Sequence, residues 1–219
     1  GKTFTSLRLA ERLAGAGGSV LFLVPSISLL SQTLREWATE AEVPLSPIAV
    51  CSDRKATARS QASSEDISSV DIALPSTTNV AVLEARLNQA LGDPNTMTVV
   101  FATYQSLDVV SQAQHQGELP GFDLIICDEA HRTTGATLAG EDESTFRRIH
   151  DATYIRGTKR LYMTATPRIY DDSSKAKAGE ANAVLASMDD EDFYGAELHH
   201  LGFGEAVNKN LLTDYKVLV

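Results

Sequence analysis

The stretch Phe122-Asp123-Leu124-Ile125-Ile126-Cys127-Asp128-Glu129-Ala130-His131 decides how the rest of the chain is read. A continuous apolar run of strand length ends in two adjacent carboxylates, with a histidine two residues further on. Such a run marks a strand buried on both faces, as in a parallel sheet covered by helices. Ionised carboxylates at its exit are not core residues, because burying unpaired charge is prohibitive. They lie at a solvated strand end or beside a cation. Open α/β sheets bind ligands at the carboxyl ends of their strands, so Asp128 and Glu129 are the first candidate site residues.

Upstream, the chain opens with Gly1-Lys2-Thr3, then Phe4, Leu7, Leu9, Ala10 and Leu13 at helical spacing, stopped by Gly15 and Gly17-Gly18. Gly-Lys-Thr at the start of a helix is the end of a phosphate-binding loop: lysine meets the β/γ-phosphates and the threonine hydroxyl meets Mg²⁺. The helix N-terminus adds its own affinity for anions. The tripeptide alone is a weak signal, since an ordinary first helical turn reads the same way. The glycine and strand that should precede it are absent, so the chain is expected to be a piece of a longer one.

Val20 to Val24 is a second buried-strand run, ended by Pro25. Ser26 is a candidate N-cap for a helix with Leu29, Leu30, Thr33, Leu34, Trp37 and Ala41 on one face. Pro47 to Cys51 gives a third strand. Residues 52–78 turn to Ser, Ala, Asp and Thr with little periodicity, as in an inserted loop. A helix is predicted from Asn79 to Leu91, and a strand from Met97 to Ala102 that runs into Thr103-Tyr104-Gln105-Ser106. Another helix closes near Gln116-Gly117.

Beyond the opening stretch, Arg132 to Gly135 reads as a loop and Glu141 to Ala152 as a helix presenting Phe146 and Ile149. Arg160 to Met163 is a further strand, ending in Thr164-Ala165-Thr166-Pro167. Residues 168–200 read as an insertion, with polar loop and helix material from Arg168 to Ala186 and the acidic run after it. A short helix after Leu201 feeds a final strand, Tyr215 to Val219.

Strands alternating with helices in this way are repeated βαβ units. Right-handed crossovers place all the strand ends on one edge of the sheet. That edge collects Lys2, Thr3, Ser26, Thr103, Gln105, Asp128, Glu129, His131, Thr164 and Thr166. The chemistry these groups suit is nucleoside triphosphate hydrolysis, where positioning and charge neutralisation outweigh covalent help. Lys2 supplies charge, and Thr3 and Asp128 can hold Mg²⁺ in a largely water-completed octahedron. Glu129 can orient or deprotonate the attacking water. Mg²⁺ prefers oxygen, so His131 is placed as a hydrogen-bonding relay rather than as a ligand.

Composition sets limits. The chain has 219 residues, 43% hydrophobic and 22% charged, enough for one α/β domain with a large core. A net charge of −10 argues against a simple basic nucleic-acid-binding module, but not against local grip through loops and backbone amides. The acidic runs at Glu141-Asp142-Glu143 and Asp189 to Asp192 suit solvated loops. No apolar run reaches membrane-span length and no signal-peptide pattern opens the chain. Cys51 and Cys127 end apolar runs without metal-ligand spacing, as buried free thiols of a reducing, cytoplasmic setting would.

Taken together, these residues make a close resemblance. Asp128-Glu129-Ala130-His131 resembles the DEAH form of motif II of superfamily 2 helicases, and Gly1-Lys2-Thr3 the end of motif I. Val24-Pro25-Ser26 with Leu29, Leu30 and Gln32 looks like motif Ia, Thr103 to Ser106 sits in the place of motif Ib, and Thr164-Ala165-Thr166 looks like motif III. The wording Asp-Glu-Ala-His-Arg-Thr-Thr-Gly and Leu-Tyr-Met-Thr-Ala-Thr-Pro-Arg is similar to the motors of restriction enzymes, both type I/III and single-polypeptide restriction–modification enzymes; phage and plasmid helicases share it.

The resemblance implies a RecA-like P-loop NTPase domain over residues 1–219, a mainly parallel sheet with helices on both faces, using ATP and Mg²⁺. It implies sequence-independent backbone contacts to DNA through Ser26, Gln32, Thr103, Tyr104 and Gln105, and coupling through His131, Thr164 and Thr166. For Gln32 a solvated helix face, and for Tyr104 packing on the next helix, stay equally open. The implied partners are DNA, a second RecA-like domain bringing an arginine finger, and nuclease or methyltransferase modules. Two other classes compete: a nucleotide-gated DNA-binding module without turnover, and an unrelated P-loop kinase, for which motifs Ia, Ib and III have no use.

Overall fold

The computed structural model describes residues 1–51, 76–138, 146–180 and 183–213. The chain runs α1 (Lys2–Leu13), β1 (Ser19–Val24), α2 (Ile27–Glu40), β2 (Leu45–Val50), β3 (Ser76–Thr77), α3 (Val80–Ala90), β4 (Met97–Thr103), α4 (Leu107–Gln116) and β5 (Phe122–Cys127). Then follow β6 (Gly135–Leu138), β7 (Gly157–Tyr162), α5 (Asp172–Glu180), β8 (Ala183–Ala186), α6 (Glu191–Tyr194) and α7 (Phe203–Asn208). Six strands form one sheet in the order β3-β2-β4-β1-β5-β7, and every pairing in it is parallel.

The sheet separates two cores because successive strand residues point to opposite faces. Val20, Phe22, Val24, Val99, Phe101, Leu124 and Ile126 face α1 and α2. Leu21, Leu23, Val100, Ala102, Ile125 and Cys127 face α3 and α4. Both faces are covered over β1, β4 and most of β5, so those strands are near-continuous apolar runs rather than alternating ones, while β7 at the sheet edge is partly exposed and carries Lys159 and Arg160. This is the α/β architecture expected of a RecA-like domain.

The helices bury the stripes their spacing predicts. In α1 these are Leu7 and Ala10; in α2, Leu30, Thr33, Leu34 and Trp37; in α3, Leu83 and Leu87. Phe4 and Leu13 of the predicted α1 stripe are instead exposed, and Arg8 lies over the Phe4 ring, 4.8 Å from its centroid. Ser26 caps α2 by accepting from Leu29 N at 3.3 Å. The turn from α1 into β1 requires glycine at Gly18, where a Cβ would stand 2.5 Å from the carbonyl oxygen of Ala14.

Four segments differ from expectation. The helix expected from Glu141 to Ala152 lies partly outside the described residues, and what is described of it is a 3₁₀ turn, Arg148–His150. Asp151 ends that turn by accepting from Thr153 N at 2.7 Å, a local side-chain bond that competes with helix continuation. Phe146 and Ile149 pack into the core all the same. Gly135, expected in a loop, starts β6, which pairs antiparallel with β8 in a separate two-stranded sheet. Residues 168–200 therefore carry α5, β8 and α6, while Ser76 and Thr77 of the 52–78 stretch add a short strand beside β2. The rest of that stretch (52–75) and the predicted strand Tyr215 to Val219 lie outside the described residues. Cys51 and Cys127 are buried free thiols, and burial pushes Cys127 up to about 12.

Candidate functional site

Register brings the strand ends level. Val24 pairs with Thr103, Leu23 with Cys127, and Cys127 with Tyr162, so Pro25, Tyr104, Asp128 and Met163 leave the sheet side by side. Backbone bonds extend the alignment past the strands: Asp128 N donates to Leu23 O at 2.9 Å and Ala130 N to Met163 O at 2.9 Å. The N-terminus of α1 meets the same edge.

There the charged groups converge. Lys2 Nζ donates to Glu129 Oε1 at 2.6 Å and lies 3.5 Å from Asp128 Oδ1. That Asp128 oxygen is buried and accepts no hydrogen bond. Burial raises the Asp128 carboxyl above its ordinary value, and the Lys2 charge opposes the shift. A buried carboxylate oxygen with no hydrogen bond and a lysine 3.5 Å away has room for a further cation contact. Asp128 would hold such a cation, with the Thr3 hydroxyl at the start of α1 as a second oxygen donor. Among the described residues no cluster of three or more His, Cys, Asp or Glu forms a metal cage. One carboxylate, one hydroxyl and water fit Mg²⁺, which keeps much of its hydration.

Glu129 sits at φ 50°, ψ 46°, in the left-handed region. That conformation turns the chain sharply off β5 and costs a non-glycine residue on the order of 1–3 kcal/mol, sustained only by its surroundings. Past the turn, His131 Nδ1 lies 3.0 Å from Thr164 Oγ1, 3.2 Å from Thr166 Oγ1 and 3.4 Å from Glu129 Oε2. One imidazole thus bridges the loop after β5 and the loop after β7. Thr166 N donates to Thr164 Oγ1 at 3.1 Å, folding the second loop around the contact.

The residues carried over as DNA contacts divide. Ser26, Gln32 and Gln105 are exposed at this edge or on the outer face of α2, although Gln32 donates to Glu36 at 2.8 Å along the helix. Thr103 and Tyr104 are buried. Thr103 Oγ1 lies 3.0 Å from Ser106 Oγ, and the Tyr104 hydroxyl donates to the backbone carbonyl of Asp128 at 2.9 Å. Tyr104 packs in the core with its ring stacked on Phe146, and a hydrogen bond is added. Its partner is the site itself.

Two supports were not legible in the sequence. Trp37 Nε1 donates to Thr3 O at 3.2 Å, tying α2 to the first turn of α1. His150, Tyr162 and Tyr194 form an aromatic cluster beneath the loop after β5. Tyr194 Oη lies 3.0 Å from Thr133 Oγ1, and His150 Nε2 lies 3.3 Å from Thr133 O. The only signal for either was an aromatic residue with one polar atom, which needs a partner once buried.

Burial holds the His150 imidazole down at about 4, below its ordinary 6.5. Between those values the unfolded chain takes up a proton that the folded chain refuses. Stability is therefore full above pH 6.5 and falls as the pH drops toward 4. Thermal melting from pH 7 to 4.5 is expected to show this loss, and His150→Gln is expected to shrink it. Equal acid slopes in the two proteins would assign the loss to other groups.

A parallel sheet whose one edge joins a helix-start lysine, paired Asp and Glu, and a histidine held between two threonines defines the RecA-like motor domain of superfamily 2 helicases. Residues 1–169 match the family described as type III restriction enzyme, res subunit, and the chain belongs to that family. It is 32% identical over 163 residues to a probable helicase of African swine fever virus from a Kenyan isolate, covering 74% of this chain and 16% of the relative. The counterpart from a Malawian isolate is 28% identical over 204 residues, covering 91% and 18%.

Two solved structures are similar over 99% of this chain. One is a nuclease-deletion mutant of the Type ISP restriction-modification enzyme LlaGI in complex with a DNA substrate mimic, at 41% identity and a TM-score of 0.73. The other is the ATP-dependent Type ISP restriction-modification enzyme LlaBIII bound to DNA, at 42% identity and a TM-score of 0.75. The chain spans 16% and 14% of those two chains, about a sixth of the length of its relatives.

Proposed function

We propose that this chain is the nucleotide-binding half of an ATP-dependent DNA translocase, coupling ATP hydrolysis to movement along DNA within a restriction-type enzyme. The observation that carries the reading is the joining of Lys2, Asp128, Glu129, His131, Thr164 and Thr166 by contacts of 2.6 to 3.5 Å on one sheet edge. Likeness over 99% of the chain to an enzyme described as ATP-dependent and bound to DNA supports it.

In this reading Gly1, Lys2 and Thr3 hold the triphosphate, with the start of α1 aimed at its charge. Thr3 and Asp128 hold Mg²⁺, which when bound neutralises phosphate charge. Lys2 leaves Glu129 for the phosphates, and the freed carboxylate orients water and accepts its proton. Because Glu129 also approaches His131, its change of charge state reaches Thr164 and Thr166 and so the loop after β7. Ser26, Gln32 and Gln105 meet the DNA backbone. A second RecA-like domain and nuclease or methyltransferase modules complete the enzyme.

The test is phosphate release from ATP by the intact protein, with and without duplex DNA. Strong DNA stimulation is expected, and the 219-residue chain alone is expected to turn over little ATP. Turnover indifferent to DNA would sink the motor reading. Robust DNA-stimulated turnover by the chain alone would refute its dependence on other domains.

A further inference from the structure

We infer that Tyr104 is a positioning residue that transmits DNA occupancy of the loop after β4 to the Asp128–Glu129 turn, an inference that rests on the motor reading above. The Tyr104 side chain is fully buried, and its hydroxyl donates to the Asp128 carbonyl at 2.9 Å. Its ring stacks on Phe146 with centroids 5.1 Å apart. The next residue, Gln105, is exposed. Both belong to a single 3₁₀ turn, Tyr104–Ser106, closed at its base by the contact of 3.0 Å between Thr103 Oγ1 and Ser106 Oγ. A strand of DNA pressing on Gln105 therefore acts on a short, tied turn whose inner residue holds the active-site backbone.

What it holds is the peptide that leads into Glu129. Rotation of that peptide changes the φ of Glu129, the angle that stands at 50° in the left-handed region. A glutamate stays there only while neighbouring groups hold it. Tyr104 is one such group, and it fixes where the Glu129 carboxylate points relative to Lys2 and His131. A merely structural tyrosine would satisfy its hydroxyl in the same way. The two roles differ in which measured quantity moves.

Tyr104→Phe in the intact protein keeps the ring and its stack and removes the donor. The expected result is a DNA-stimulated kcat lowered about tenfold, the scale of one lost hydrogen bond expressed in a transition state. KM for ATP and Kd for a duplex oligonucleotide are expected to stay at their wild-type values. A wild-type kcat overturns the inference, and so does a loss carried by KM or Kd. Phe146→Leu is a second arm: it loosens the stack but leaves the hydroxyl, and is expected to lower kcat by a smaller factor at unchanged KM. If the wild-type protein shows no DNA-stimulated turnover, the motor reading fails and this inference falls with it. Full stimulation in wild type and in both variants removes this inference alone.

Discussion

Glu129→Gln in the intact protein is expected to lower ATP turnover by about a hundred- to ten-thousand-fold, the usual contribution of a positioned general base. Glutamine keeps the size and the left-handed backbone at φ 50° but carries no charge and takes no proton. Nucleotide binding is expected to persist. Lys2 now spends its charge on Glu129 at 2.6 Å, with Asp128 3.5 Å away, so the substitution releases it toward the phosphates. Single-turnover phosphate release, paired with binding of a fluorescent ATP analogue, separates the two effects. Wild-type turnover in the variant would remove Glu129 from the chemistry, and lost binding with an intact rate would place it in nucleotide affinity instead.

Trp37→Ala is expected to cost about 3–5 kcal/mol of stability, the range for emptying a large aromatic site in a packed core. Trp37 is fully buried, edge-on to Phe22 at 5.2 Å and to Phe101 at 5.6 Å between ring centroids. It joins α2 to the sheet, and through its bond to Thr3 O it also braces the start of α1. Nucleotide affinity is therefore expected to fall with stability. Trp37→Phe restores most of the apolar contact but not the donor, and is expected to recover stability more fully than affinity. Urea unfolding and ATP titration of the same variants check both halves. An alanine variant with a wild-type unfolding midpoint would contradict the packing role, and a phenylalanine variant with wild-type affinity would contradict the bracing one.

The fold was legible because strands buried on both faces have nowhere to place polar residues. Val20 to Val24, Met97 to Ala102 and Phe122 to Cys127 appear in the sequence as apolar runs broken only by Thr98 and Asp123, and all lie in the sheet. Residues 135–138 and 183–186 gave no such signal, since their two-stranded sheet pairs short segments from distant parts of the chain. The helix expected up to Ala152 failed on a local competition, because Asp151 bonds Thr153 N instead of continuing the turn. At the site, Asp128, Glu129 and His131 were legible because acid and imidazole at the end of an apolar run have no packing role. Tyr104 was not, since a tyrosine serves equally as surface contact, core ring or hydrogen-bond donor.

By itself, then, the sequence determined a parallel α/β sheet with Lys2, Thr3, Asp128, Glu129, His131, Thr164 and Thr166 at its strand and helix ends. Hydrophobic periodicity and the cost of burying charge are local properties, and they suffice for that. Only the tertiary structure decided that Gln105 faces outward while Tyr104 reaches Asp128 O, that Trp37 braces Thr3, and that Glu129 turns left-handed to meet Lys2. Each of those depends on a bond between residues at least 24 positions apart. The register of neighbouring strands, fixed by packing on both sheet faces, sets whether such partners meet.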